Sequence, residues 1–373
     1  MRTPLPVAAA IAQRPGYAGH AWAFTQFAVG FRELGYDPIL IDRLSGETSN
    51  RKSEIEWFHE VVASAGLEDQ CALLLEDGTT MGLSRDRLRD SIAAAPFLLN
   101  IMGFLDDPDL REAARMRVFL DVDPGFTQIW QDRGEADLLD NHDRFVTVGM
   151  NIGSSDCPIP TCGRDWITIR PPVVLSRWPF SPPNSFSFRS VGTWRGPYDP
   201  IWTDEKKLGL RVHEFRKFID LPRRIDAPFE LALDIDVADD GDASLLREHG
   251  WALFEPKAVA GTLPAYADFV RGSGAEISIA KNIYVDTRSG WFSDRSACFL
   301  ASGRPVLAQD TGWSAELQSE ALVAFSTVEE AADGARRIQE NLSVGSEAAR
   351  SLAEESFDSR KVLGSLLAEF EAG

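Results

Sequence analysis

The chain has 373 residues, 44% of them hydrophobic and 25% charged, enough apolar material for two packed domains rather than one. Its 57 Asp and Glu against 38 Lys and Arg leave a net charge of -19, which repels a continuous phosphate backbone and excludes nucleic acid as an expected partner. A small anionic ligand is not excluded, because nearby N–H groups and one or two cations outweigh charge lying beyond a Debye length.

The apolar run 7–12 follows one basic residue and two prolines and is too short to cross a bilayer, so it reads as a buried strand and no membrane span is expected. Further strands are expected at 38–41, 97–101, 117–121 and 144–148, then at 188–191, 229–235, 252–254, 277–279 and 306–308, each separated from the next by amphipathic segments. That rhythm predicts an α/β protein of two doubly wound, Rossmann-like domains with mostly parallel sheets. The proline-rich stretch Arg170-Pro-Pro-Val-Val-Leu-Ser-Arg-Trp-Pro-Phe-Ser-Pro-Pro-Asn cannot be a continuous helix and serves as the connector. The expected domains are therefore 1–180, 181–345, and a C-terminal helix at 346–373 that carries an apolar stripe and packs back on a neighbouring domain. Cys71, Cys157, Cys162 and Cys298 show no C-x-x-C spacing, which points to reduced thiols, a cytoplasmic protein and no metal.

Candidate site residues fall in loops after strands. His20 stands in a glycine-bracketed loop with Gly19, where an imidazole is placed either to take a proton from a hydroxyl or to contact phosphate; the other four histidines read as surface residues. Trp22 and Phe24 line an apolar pocket there or belong to the core. Asp121 and Asp123, in Asp-Val-Asp-Pro-Gly, are carboxylates facing a ligand or a strand-end turn. Arg195 follows strand 188–191 and offers a cation for a diphosphate or a solvated guanidinium. In the second half, Ser289 and Gly290 deliver the chain to a helix capped by Ser293 and closed by Gly303. Open amides with Lys281 and Arg288 there make an anion site; otherwise Gly290 only turns and Ser293 only caps. Asp310 and Thr311, in Gln-Asp-Thr-Gly, contact a sugar or form a turn.

The run from Phe292 to Leu307, ending in Ala301-Ser-Gly-Arg-Pro-Val-Leu, resembles the donor-site signature of GT-B glycosyltransferases, and Gly16-Tyr-Ala-Gly-His-Ala with Leu34-Gly-Tyr-Asp-Pro-Ile-Leu-Ile-Asp is similar to the first strand–loop–helix–strand unit of that superfamily. The resemblance implies two Rossmann-like domains facing across a cleft, with a small-molecule acceptor in the first and a nucleotide-sugar donor in the second. It also implies a monomer or homodimer that needs no metal or other cofactor. His20 and Asp123 are then the catalytic candidates; Gly19, Arg195, Lys281, Arg288, Ser289, Gly290, Ser293, Asp294, Asp310 and Thr311 hold the donor. The chain departs from the pattern at Cys298, where many retaining members carry a ribose-binding Glu. Asp294, one turn earlier on the same helix face, takes that role or is simply a first-turn acid. The alternatives are a nucleotide-sugar epimerase of the same shape, which needs no acceptor, and a catalytically silent relative that binds a partner.

Overall fold

A computed structural model describes residues 2–46, 50–183, 186–196, 198–203 and 206–372. The chain divides into two compact units: Met1–Val148 with Pro160–Val174 and Ser359–Gly373, and Gly149–Ile159 with Leu175–Asp358. The chain thus changes unit at four places, whereas the sequence suggested one change near 180 and a C-terminal helix from 346 that packs back.

The strands of the first unit are β1 (Pro4–Ala8), β2 (Asp37–Leu44), β3 (Cys71–Leu75), β4 (Thr80–Gly82), β5 (Leu98–Ile101), β6 (Arg117–Asp121), β7 (Arg144–Thr147) and β8 (Trp166–Thr168). They form one sheet in the order β4-β3-β2-β1-β5-β6-β7-β8, parallel except for the edge hairpin of β3 and β4. Strand β1 begins three residues earlier than expected, at a proline. Its odd residues face β2, as Asp37 N–H donating to Thr3 O and Ala9 N–H donating to Ile41 O show. Pro4 and Pro6 therefore face β5, which joins the ladder only at Val7, so neither missing N–H costs a bond. Around this sheet lie α1 (Ala18–Glu33), α2 (Arg51–Ala65), α3 (Arg85–Ala94), α4 (Pro108–Ala113) and α5 (Phe126–Asp132).

In the second unit, β9 (Phe188–Thr193), β12 (Phe229–Asp234), β13 (Trp251–Phe254), β14 (Ala275–Ser278), β15 (Val306–Gln309) and β16 (Leu322–Phe325) form an all-parallel sheet in the order β13-β12-β9-β14-β15-β16. Strands β10 (Ile201–Trp202) and β11 (Lys207–Leu208) make a separate small hairpin. The helices are α6 (Arg211–Lys217), α7 (Asp240–Glu248), α8 (Pro256–Ala260), α9 (Leu263–Arg271), α10 (Asn282–Asp286), α11 (Asp294–Ala301), α12 (Val328–Glu340) and α13 (Leu342–Ser356); a further helix, α14 (Ser359–Ala372), returns to the first unit. The expected single C-terminal helix is thus two helices, broken at Phe357 and Asp358, where Phe357 is fully buried against Phe292 and Ser359 N–H donates to Val173 O.

Core strands are buried on both faces, as a parallel sheet covered by helices requires. Within β14 this burial includes Glu276, paired with Arg295 Nε at 2.5 Å. Helix α11 ends as expected on Gly303 in the left-handed region (φ +78°), with Gly303 and Arg304 N–H bonded back to Leu300 and Phe299. Arg304 is buried and donates to the carbonyls of Ser181, Arg271, Ser302 and Gly303, at the C-terminal ends of α9 and α11; burial without a carboxylate lowers its pKa to about 10. The Gly-Arg-Pro signature therefore closes helices.

Candidate active site

Each sheet reverses its strand order once, between β1 and β5 and between β9 and β14. Ligands of doubly wound sheets bind outside the carboxyl ends of strands at such reversals, because the loops diverge there. Both reversals bring chemically active side chains together.

In the second unit, β9 ends at Thr193 and β14 at Ser278. Lys281, only 6% exposed, precedes α10; its Nζ donates to Tyr284 Oη at 3.1 Å and lies 5.9 Å from the Tyr198 ring centre. Gly196 belongs to the loop after β9, and a Cβ there would lie 3.4 Å from Lys281 Cε. Arg211, 9% exposed and the first residue of α6, donates to Thr193 O at 3.2 Å and crowds Gly192 so closely that a Cβ would meet its Nη1 at 2.3 Å. Asn282 fastens the two helix starts, accepting from Gly209 and Leu210 N–H and donating to Lys207 O. Gln309 links Ala280 N–H to the buried carboxylate of Glu214. Arg211, Asn282 and Glu214 were not expected from sequence, whereas Gln309 opens the Gln-Asp-Thr-Gly loop whose amide and carboxylate were expected at a sugar; only the fold brings Arg211 to the end of β9.

Several expected donor residues are otherwise engaged. Arg195 makes a two-pronged pair with Asp239 at 2.6 Å, so its charge is neutralised rather than open. The amides around Ser289 and Gly290 are not free: Ser289 N–H donates to Tyr284 O, Gly290 N–H to Thr311 O and Trp291 N–H to Ser289 Oγ. Asn151 locks the same loop, donating from Nδ2 to Arg288 O and from its backbone N–H to Ser289 O. Gly290 (φ +73°) leaves only 2.9 Å between a would-be Cβ and Asn151, so this glycine is required for close packing. Thr311 is buried with its hydroxyl on Trp291 O, and Asp310 spends its carboxylate on Gly312 N–H and the Ser314 hydroxyl, the turn reading of this pair. Ser293 precedes α11 but makes no side-chain cap. Asp294 is half-buried; burial raises its pKa, against Arg295 and the N–H groups of its own first turn, which it occupies. Cys298 is buried. Arg288 is exposed and holds a left-handed backbone at φ +47°, costly for a residue with a Cβ.

In the first unit a recess of about 80 Å³ opens beside β1, β2 and the segment after β5, lined by Ala8, Ala9, Ala10, Gln13, Ile41, Asp42, Arg43, Ser45, Phe104 and Leu105. Gly19 and His20 lie in the first turn of α1, not in a loop, because the helix starts at Ala18. His20 Nε2 is 2.6 Å from Ala10 O and its ring packs edge-on against Phe24, 4.6 Å between centres. A carbonyl only accepts, so Nε2 carries the hydrogen and Nδ1 keeps the lone pair. Burial, then the nearby Arg14, lowers the His20 pKa to about 4, leaving a neutral imidazole at pH 7. Trp22 and Phe24 share α1, and Phe24 also meets Phe104 of the recess edge-on at 6.2 Å.

Asp42 is 3% exposed and accepts from Ile11 and Ala12 N–H (2.7 Å each), Arg43 N–H (2.6 Å) and Gln13 Nε2 (3.3 Å); burial still pushes it up to about 7. Asp121 is fully buried at the end of β6, accepting from Gln128 Nε2, Thr147 Oγ1 and Asp123 N–H, and burial raises it to about 6. Asp123 is half-buried in the turn that this carboxylate closes. His142, expected at the surface, is 9% exposed and bonded to Asn100 Nδ2. The four cysteines are free thiols, and among the described residues no three His, Cys, Asp or Glu side chains converge on a metal position.

Two Rossmann-like units, each with its polar residues at the carboxyl ends of a parallel sheet, define the GT-B fold. Solved glycosyltransferases share it over the whole chain. A glycosyltransferase from Rickettsia africae matches at 12% identity, covering 100% of this chain and 98% of its own, with a TM-score of 0.54. The pneumococcal O-GlcNAc transferase GtfA, solved with UDP and GlcNAc, matches at 11% identity over 100% and 99%, TM-score 0.57. An α-glucosyltransferase solved with UDP and a 13-mer DNA containing an HMU base matches at 9% identity over 100% of both chains, TM-score 0.61. Neither a protein-family model nor a curated protein sequence matches.

Proposed function

We propose that the protein is a glycosyltransferase whose second unit binds a nucleotide-sugar and whose first unit binds a small-molecule acceptor, without a metal. The observation that carries this reading is the pair of buried cations, Lys281 and Arg211, at the β9/β14 reversal of a GT-B fold. Cations in a site screened from water stabilise charge developing on a departing nucleoside diphosphate far better than exposed ones do. Arg288, exposed on a strained backbone, adds a third positive group from the loop before α11. Strained backbone persists where function uses it. In the first unit, the recess beside β1 mixes apolar walls with the polar side chains Gln13 and Ser45, the kind of lining that orients a small ligand. Nδ1 of His20 takes the proton from the acceptor hydroxyl as the sugar is transferred. The net charge of -19 favours a small acceptor over DNA.

Thermal melting with UDP, GDP, dTDP and ADP tests the donor half. One of the four raises Tm in proportion to the logarithm of its concentration, and Lys281→Met loses that rise. No response to any of them at millimolar concentration removes the nucleotide-sugar reading. With the responding nucleotide identified, incubation with its sugar conjugate alone separates an epimerase, which turns over, from a transferase, which awaits an acceptor.

A further inference from the structure

The contacts of His20 continue one step beyond Ala10. The carbonyl of Ala10 and the N–H of Ile11 belong to one peptide group. Its oxygen lies 2.6 Å from His20 Nε2, and its N–H donates to Asp42 Oδ2 at 2.7 Å. A trans peptide is planar and points its two polar groups in opposite directions, so Asp42 and His20 grip the same plate from either side. We propose that Asp42 is the positioning residue for His20, acting through the Ala10–Ile11 peptide in the way a directly bonded carboxylate orients an imidazole in a His–Asp pair. This rests on the reading of His20 as the base.

Three features support the relay. Ile11 and Ala12 both donate to the same oxygen, Oδ2, which fixes the tilt of the plate as well as its position. Every group donating to Asp42 is an uncharged N–H, while the Arg43 guanidinium turns away to Asp106, so the carboxylate charge falls on peptide dipoles and polarises them. Hydrogen bonds in series strengthen one another, so the Ala10 oxygen becomes a better acceptor for His20. The edge contact with Phe24 then blocks rotation of the ring, and the lone pair on Nδ1 has one direction.

The test is nitrogen-15 NMR of the full chain labelled at histidine, with the His20 signals assigned by their loss in His20→Gln. Wild type shows His20 as the single Nε2–H tautomer at pH 8.5, where the Asp42 carboxylate is ionised, whereas Asp42→Asn, folded by circular dichroism, shows both tautomers. In turnover, Asp42→Asn lowers kcat by about 10- to 100-fold and leaves the KM for the nucleotide-sugar within twofold, a split that general loosening would not give. An Nδ1–H tautomer in wild type overturns the proposal, as does a folded Asp42→Asn with the wild-type tautomer or with kcat within twofold. If Asp42→Asn does not fold, Asp42→Glu carries the same comparison by moving the charge one methylene. The NMR result needs no substrate, so an intact relay in a protein that turns over no donor would count against the glycosyltransferase reading alone.

Discussion

His20, half-buried, and Asp121, fully buried, are groups of opposite type, and their surroundings decide what each can do. His20 is neutral at physiological pH with one nitrogen committed to Ala10 and the other carrying a lone pair, the state a proton acceptor needs. His20→Gln should therefore lower kcat about 100-fold while nucleotide binding, read by the thermal shift, stays unchanged; equal turnover in the variant would move the base elsewhere. Asp121 has the opposite stake in pH. Its folded pKa of about 6 lies above the ordinary 3.8, so its contribution to stability is complete below about 4 and is lost as pH rises through 6. His20 and His142, both lowered to about 4 from 6.5, contribute fully above 6.5 and lose that contribution as pH falls to 4. The two kinds of group oppose each other between pH 4 and 6. Removing Asp121 exposes the imbalance: the Tm deficit of Asp121→Asn relative to wild type should shrink by a few degrees from pH 4 to pH 6, and a constant deficit would contradict the assignment.

Among the elements, α1 and α14 pack closely through a glycine. A Cβ on Gly30 would lie 2.7 Å from Leu363 Cδ1 and 2.9 Å from Ser359 Cβ, both in α14, and Phe97 and Phe370 meet edge-on at 5.1 Å beside them. Gly30→Val should cost about 2–3 kcal/mol by denaturant unfolding, as overpacking of a close helix crossing does. The sequence suggested that a C-terminal helix packs back but not where, because Gly30 sits in an ordinary apolar helix. The strands were more legible: long runs such as Phe229–Asp234 stand out by hydrophobicity alone. Cys71–Leu75 did not, because a leucine-rich run without β-branched residues fits helix or strand equally. The break at Phe357 and Asp358 was hidden for want of a glycine or proline. At the candidate site the limits were of another kind. Lys281 and Arg288 announced themselves by type and by a neighbouring glycine. The occupation of the Gly290 amide depends on Thr311 and that of the surrounding carbonyls on Asn151, far away along the chain, and no local pattern encodes such partners.

For the whole molecule, the path of the chain matters more than its length. The first unit is assembled from three separate stretches, and the last of them is α14. Ending the chain after Asp358 should leave Gly30, Ser359's partner Val173 and Phe97 uncovered, so limited proteolysis should cut the first unit while residues 175–358 stay protected; equal protection of both units would show that α14 is dispensable. The same path orders events during synthesis. The first sheet leaves the ribosome early but lacks its closing helix until the second unit has been translated, on the order of tens of seconds later at ordinary elongation rates. Over that interval the nascent chain presents an apolar strip on α1, which makes the first half of this protein, rather than the second, the natural client of a chaperone.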